Sequence, residues 1–99
     1  MPVLSALADE TRWRILEELG ERDLSASALA NRLPVSRQAI ARHLGVLNRA
    51  GLVTSTPAGR EVRYRPVGDR LSTTAAQLKR IGQQWDRRLR TIKEIAEER

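Results

Sequence analysis

The amino-acid sequence predicts a mainly α-helical domain with one β-hairpin, and three observations predict it. Apolar residues recur at helical spacing along most of the chain. The period changes once, to alternation, on either side of a Pro57-Ala58-Gly59 turn. Glycine or proline punctuates the pattern at Gly20, Pro34, Gly51 and Pro66. A length of 99 residues fits a single domain spanning 1–99. The core of such a domain is thin. Phe is absent and the only aromatics are Trp13, Tyr64 and Trp85, so Ala, Leu, Ile and Val must fill it. A chain short of core gains stability by pairing with a copy of itself.

Asp9 or Thr11 can cap a helix running to about Leu19, with Ile15, Leu16 and Leu19 on its apolar stripe and Gly20 ending it. Upstream, Leu4, Leu7 and Ala8 form a short helix or extend this one. Ser25 or Ser27 starts a second helix through Leu33 that buries Leu29 and Ala30 and stops at Pro34. Ser36 caps a third, from Arg37 to about Ala50, whose apolar positions Ile40, Leu44 and Leu47 follow a four-then-three spacing; Gly51 closes it. The other face of this helix carries Arg37, Gln38, Ala41, Arg42, Gly45, Asn48 and Arg49.

Residues 52–56 and 61–65 then read as two strands, with Val62 and Tyr64 on one face and Glu61, Arg63 and Arg65 on the other. An isolated hairpin is barely stable, so its apolar face must lie on the helices. The last helix runs from Arg70 to about Glu97. Its stripe of Leu71, Ala75, Leu78, Gly82, Trp85, Leu89, Ile92 and Ala96 steps by four and three, a heptad pattern that Ile81 and Ile95 widen. Such a helix is about 40 Å long, more than a small domain covers with its own core. Part of the stripe therefore faces a partner, and an identical chain is the simplest one. Leu4, Leu7, Trp13, Leu78, Trp85, Leu89 and Ile92 are the expected dimer seam, so that the first and last helices dimerise the fold. Trp85 can instead line a pocket for a small-molecule effector.

The net charge of +6 is unevenly spread. Residues 1–35 carry four arginines against six acids, residues 36–68 six arginines against Glu61 alone, and residues 69–99 eight bases against five acids. Only Lys79 and Lys93 are lysines. Arginine forks onto phosphates and guanine edges in a way lysine does not. With no cysteine, disulfides and thiolate metal sites are excluded, and one histidine, His43, makes no imidazole cluster. No metal or other cofactor is expected. No glycine-rich phosphate loop and no His paired with Ser or Asp at motif spacing supports an enzyme. The N-terminal apolar stretch lacks the length and basic flank of a signal peptide, and no segment approaches a membrane span. A soluble, cytoplasmic protein with no membrane partner is expected.

Helix, short helix, tight turn, basic helix and basic hairpin form the order of a winged helix-turn-helix. Residues 1–66 are then a DNA-binding core with wing 52–66, and 69–98 the dimerisation helix. A helix of this kind fits the major groove of double-stranded DNA, its N-terminal residues reaching base edges. Ser36 can donate to phosphate at the positive end of the helix dipole. Arg37 suits guanine and Gln38 adenine, while Ala41 permits close approach and can meet a thymine methyl. Arg42 and Arg49 are placed for the phosphate walls, and Arg60 and Arg63 of the wing for a minor groove. His43, beside Ile40 and Leu47 on the helix wheel, reads as a half-buried packing residue or a phosphate contact. A dimer implies a palindromic operator and, most simply, repression of the chain's own gene. A winged-helix module that binds protein is the alternative; it predicts acidic or apolar residues on the third helix, where the sequence has Arg, Gln and Asn.

The run Leu4-Ser5-Ala6-Leu7-Ala8-Asp9-Glu10-Thr11-Arg12-Trp13-Arg14-Ile15-Leu16 resembles the opening of ArsR-type repressors. So do Val35 to Leu47, Ala50-Gly51-Leu52-Val53, and the wing Gly59-Arg60-Glu61-Val62-Arg63-Tyr64. The resemblance spans nearly the whole chain. It implies a dimer built from the first and last helices, recognition by the third, and release by an effector. Metal-sensing members carry a Cys-x-Cys where this chain has Ser25 and Ser27, and serine is a poor ligand for thiophilic ions. The family's alternative site needs His on the last helix, which has none. Gln84-Trp85-Asp86-Arg87-Arg88-Leu89 is similar instead to metal-free members, whose genes often neighbour those for START-like proteins.

Overall fold

The computed structural model describes residues 2–98. Eight elements follow in chain order: α1 (Pro2–Leu7), α2 (Glu10–Leu19), β1 (Leu24–Ser25), α3 (Ala26–Arg32), α4 (Arg37–Arg49), β2 (Val53–Ala58), β3 (Glu61–Pro66) and α5 (Gly68–Glu97). The fold is mainly helical with a small antiparallel sheet, as expected, and the sheet holds one strand more than the hairpin. β1 pairs with the free edge of β3, Leu24 opposite Tyr64 and Ser25 opposite Arg63, giving the strand order β1-β3-β2. Two residues carry too little periodicity to announce a strand. The bare backbone edge of β3 is what recruits them.

Local chemistry sets most boundaries. Asp9 caps α2, its side chain accepting from the Arg12 backbone N–H at 3.1 Å. Ser25 caps α3 by accepting from the Ala28 N–H at 3.1 Å, and Ser36 caps α4 by accepting from the Ala39 N–H at 3.2 Å. At the far end of α4, Gly51 has φ +75°. Its N–H donates to the Asn48 carbonyl at 2.9 Å, and the Leu52 N–H donates to the Leu47 carbonyl at 2.9 Å. This paired arrangement satisfies the last helical carbonyls and needs the left-handed conformation glycine adopts freely. Gly20 differs from the expected glycine stop: it stays right-handed at φ −63° and ψ −23°, its N–H shared between the Leu16 and Glu17 carbonyls. The chain leaves α2 through a tightened last turn instead of a left-handed residue.

The wing also departs from the expected boundaries. Pro57 and Ala58 belong to β2, with Pro57 opposite Val62 and Ala58 opposite Glu61, so the turn is Gly59-Arg60. β2 is an outer strand, where a missing N–H is tolerated. Leu52 lies before the strand, donating to Leu47 and accepting from the Val67 N–H at 2.8 Å.

The core is aliphatic, as the composition requires. Val3, Ala6, Ile15, Leu19, Leu24, Leu29, Ile40, Leu44, Leu47, Ala50, Leu52 and Val53 form one buried cluster; Leu16, Ala30, Tyr64 and Leu71 pack against it half-buried. α5 joins this core only through its first turns, at Leu71 and the buried Thr74. From Ala75 to Glu98 every residue is exposed. The molecule is consequently 68 Å long and 26 Å by 23 Å across. Thr74, outside the expected stripe, is the buried position in the first turns, and Ala75 lines the cleft between α1, α2 and α5 with Leu71 and Leu78. Among the described residues no helix is long and apolar enough to cross a membrane.

Candidate nucleic-acid interface

α4 is amphipathic with a sharp division of labour. Ile40, Leu44 and Leu47 are buried, which turns Arg37, Gln38, Ala41, Arg42, Asn48 and Arg49 outward. Ser36 spends its oxygen lone pair on the cap, leaving its hydroxyl hydrogen free to donate outward. Gly45 is half-buried, and the Arg49 guanidinium folds back over it: a Cβ there would lie 3.5 Å from Nη1.

Arg37, Gln38 and Ala41 line one open groove of about 540 Å³. Its second wall is the wing, through Arg60, Glu61, Val62 and Tyr64, and its floor is the start of α3, Ser25 to Ser27. Gly59, at φ +66°, makes the tight turn that projects Arg60 from the tip. Val62 is 47% exposed beside this groove, so only the Tyr64 half of the hairpin's apolar face packs on the helices. Sequence reasoning placed Val62 inward because alternation gives a residue's face and not how far the hairpin extends beyond its support.

Six ion pairs occupy Arg12, Arg14, Arg32, Arg63, Arg65 and Lys93 among the described residues. Arg37, Arg42, Arg49 and Arg60 are in none of them, and neither are Arg22, Arg70 and most cations of α5. Arg37 and Arg60, which line the groove, are thus available to phosphates without first breaking an ion pair. Arg63 is the exception within the expected set: it does not line the groove and pairs with Glu61 at 3.4 Å, both well exposed. Arg65 is held by Asp23 at 2.8 Å, which ties β3 to the α2–β1 loop.

A helix-turn-helix domain model matches residues 7–56, from the end of α1 into β2. The HTH-type transcriptional regulator Rv2034 of Mycobacterium tuberculosis is 42% identical over 84 residues, which cover 85% of this chain and 76% of that protein. An ArsR-like transcriptional regulator from Rhodococcus sp. RHA1 has a solved structure with TM-score 0.82 and 61% identity, over 99% of this chain and 90% of that one. The chain belongs to the ArsR family. Reduced HlyU from Vibrio cholerae, a protein named a transcriptional activator, superposes with TM-score 0.67 and 32% identity over 81% of this chain and 84% of that one. The protein is thus a DNA-binding transcriptional regulator with a winged helix-turn-helix.

Of the expected residues, Ser36, Arg42, His43, Arg49, Arg63 and the dimer-seam set are not among those lining the groove of this ArsR-family regulator. His43 is half-buried and turned toward α2, with its Nδ1 at 3.2 Å from Nη1 of Arg12. The structure therefore separates it from Arg37 and Gln38. Of the seam residues, Leu7, Trp13 and Leu78 line one apolar cleft of about 300 Å³ between α1, α2 and α5. Leu4 meets Leu78 and Ile81 across an adjoining one. The Trp13 indole N–H donates to the Leu7 carbonyl, so its ring, 53% exposed, is oriented without a partner chain. Trp85, Leu89 and Ile92 stand apart, farther along α5, at 61%, 55% and 55% exposure. Among the described residues no three of His, Cys, Asp and Glu gather as a metal site would require.

Proposed function

We propose that this regulator is a homodimeric repressor that binds a palindromic operator, its own promoter included, and responds to no metal through thiolates. The observation that carries the reading is the convergence of Arg37, Gln38, Ala41 and Arg60 on one groove, with both cations unpaired. In this reading α4 enters the major groove, Arg37 and Gln38 read bases, Ser36, Arg42 and Arg49 hold phosphates, and Arg60 reaches the adjacent minor groove. Arg63 serves the DNA only after leaving Glu61.

The dimer follows from α5. A helix whose last six turns bury nothing, yet expose Leu78, Ile81, Trp85, Leu89, Ile92 and Ile95, has an apolar face larger than a solitary protein tolerates well. A second copy laid along it, with Leu4 and Trp13 continuing the seam, covers that face. The chain then divides functionally into a DNA-binding core at 1–66 and a dimerisation helix at 69–98. Two-fold symmetry places the recognition helices on half-sites about one helical turn, roughly 34 Å, apart. Metal independence is supported by the absence of cysteine and by Ser25, whose oxygen is committed to capping α3. A cytoplasmic location follows from the role.

Fluorescence anisotropy with the DNA upstream of the gene and a scrambled duplex, at about 150 mM salt and with chelator present, tests the reading. Binding to the upstream DNA tighter by about a thousandfold or more is expected. Equal weak binding to both, or specific binding lost with chelator, contradicts it. Binding that ignores salt points to the protein-interaction alternative.

A further inference from the structure

Arg12 is a half-buried cation on α2, its side chain 16% exposed, and it makes contacts to two other helices, α1 and α4, and to its own helix cap. Its Nε donates to the Ala6 carbonyl and its Nη2 to the Ser5 carbonyl at 3.3 Å, both at the end of α1. Its Nη1 lies 3.2 Å from Nδ1 of His43 in the middle of α4, and Asp9 Oδ2 is 4.0 Å away. A guanidinium has donors only, so Nδ1 accepts and the ring proton sits on Nε2. In this contact the His43 ring serves as the hydrogen-bond acceptor. A second proton can enter only at Nδ1, where it turns the acceptor into a donor facing a donor and sets two cations 3.2 Å apart.

We propose that Arg12 and His43 are positioning residues that lock the recognition helix α4 to α1, and that protonation of His43 opens this lock and weakens operator binding. The inference rests on the reading that α1 lies in the dimer seam. If it does, the α1–α4 angle sets the distance between the two recognition helices, and a change in it spoils simultaneous fit to two half-sites. Contacts of one α4 with arbitrary phosphates are untouched by that distance.

The charged groups set against His43 are Arg12 and Asp9 of α2, with Arg42 its neighbour on α4; α1 offers the Ser5 and Ala6 carbonyls. The Asp9 carboxyl is held below the usual range, chiefly by the Arg12 backbone N–H. It offsets part of the repulsion but cannot replace the Arg12–His43 hydrogen bond.

Two measurements on the full chain test this. Nitrogen-15 NMR of the free protein at about pH 8 should show Nδ1 of His43 without a proton, and the amides of residues 6–8 should shift as the pH is lowered from about 8 to 5.5. In anisotropy over the same range, upstream-DNA affinity should fall about tenfold, while affinity for scrambled DNA does not fall. His43→Ala should bind the upstream DNA poorly at every pH. His43→Gln, whose amide oxygen can accept from Arg12 and does not titrate, should restore binding and be flat with pH. α1 amides that ignore His43 titration overturn the lock. So does a His43→Gln chain that keeps the wild-type pH dependence, or one that loses affinity equally for both duplexes, as a direct phosphate contact would. A wild-type chain that fails to discriminate the two duplexes at pH 8 refutes the repressor reading, and the NMR experiment judges the lock by itself.

Discussion

Leu89→Ala should weaken the dimer strongly while leaving the fold of each chain intact. Leu89 is 55% exposed in the single chain and belongs to a part of α5 that packs on no other element. Fully burying a leucine stabilises by about 1.5–3 kcal/mol, so covering the exposed half contributes about 1 kcal/mol per protomer. Two-fold symmetry doubles this to about 2 kcal/mol, and an unfilled hole raises the loss toward about 3 kcal/mol. At about 1.4 kcal/mol per decade, the dimer Kd should rise roughly 30- to 150-fold. Sedimentation velocity over a concentration series measures it, with Arg87→Ala on the opposite face of the helix as control. Unchanged self-association in Leu89→Ala, or equal shifts in both variants, would remove the interface from the α5 stripe.

Other consequences concern the monomer. Gly51→Ala forces a side chain into φ +75° with its Cβ 3.2 Å from Arg70 Nε. The guanidinium can move aside, so the left-handed backbone dominates at about 1–2 kcal/mol. Calorimetry should record a fall in Tm of about 5–10 °C, and an unchanged Tm would mean the end of α4 relaxes freely. Asp9 contributes charge-dependent stability above its ordinary value near 3.8, and the contribution is lost as pH falls through its lowered folded value. Asp9→Asn retains a capping oxygen without the charge. Urea unfolding should find wild type more stable than this variant at about pH 6 and the difference gone at about pH 2. A difference that persists in acid would trace to cap geometry and not to charge.

What could be read from the sequence was whatever local chemistry decides. Ser36, the Ile40–Leu44–Leu47 spacing and Gly51 delimited α4 almost to the residue, because cap, stripe and stop all lie within that segment. The groove residues Arg37, Gln38, Ala41 and Arg60 were legible for the same reason, once turn and wing fell in order around the helix. What escaped depended on partners distant in sequence. β1 exists only because β3, some 40 residues on, leaves an edge open. His43 was assigned to the DNA face or the core from a helix wheel, which could not know that Arg12, 31 residues earlier, waits beside its Nδ1. On α5 the apolar stripe missed Thr74, the buried position in the first turns, because a threonine carries no apolar signal at that spacing.

The most direct test of the central claim, that α4 reads bases while the wing holds the backbone, is the ratio of upstream-DNA to scrambled-DNA affinity in Arg37→Ala and Arg60→Ala. The account predicts that Arg37→Ala lowers the ratio by about 1–3 kcal/mol, roughly 5- to 150-fold, and that Arg60→Ala weakens both duplexes together with a shallower salt slope. An Arg37→Ala chain that loses affinity equally for both duplexes would contradict base reading by this residue.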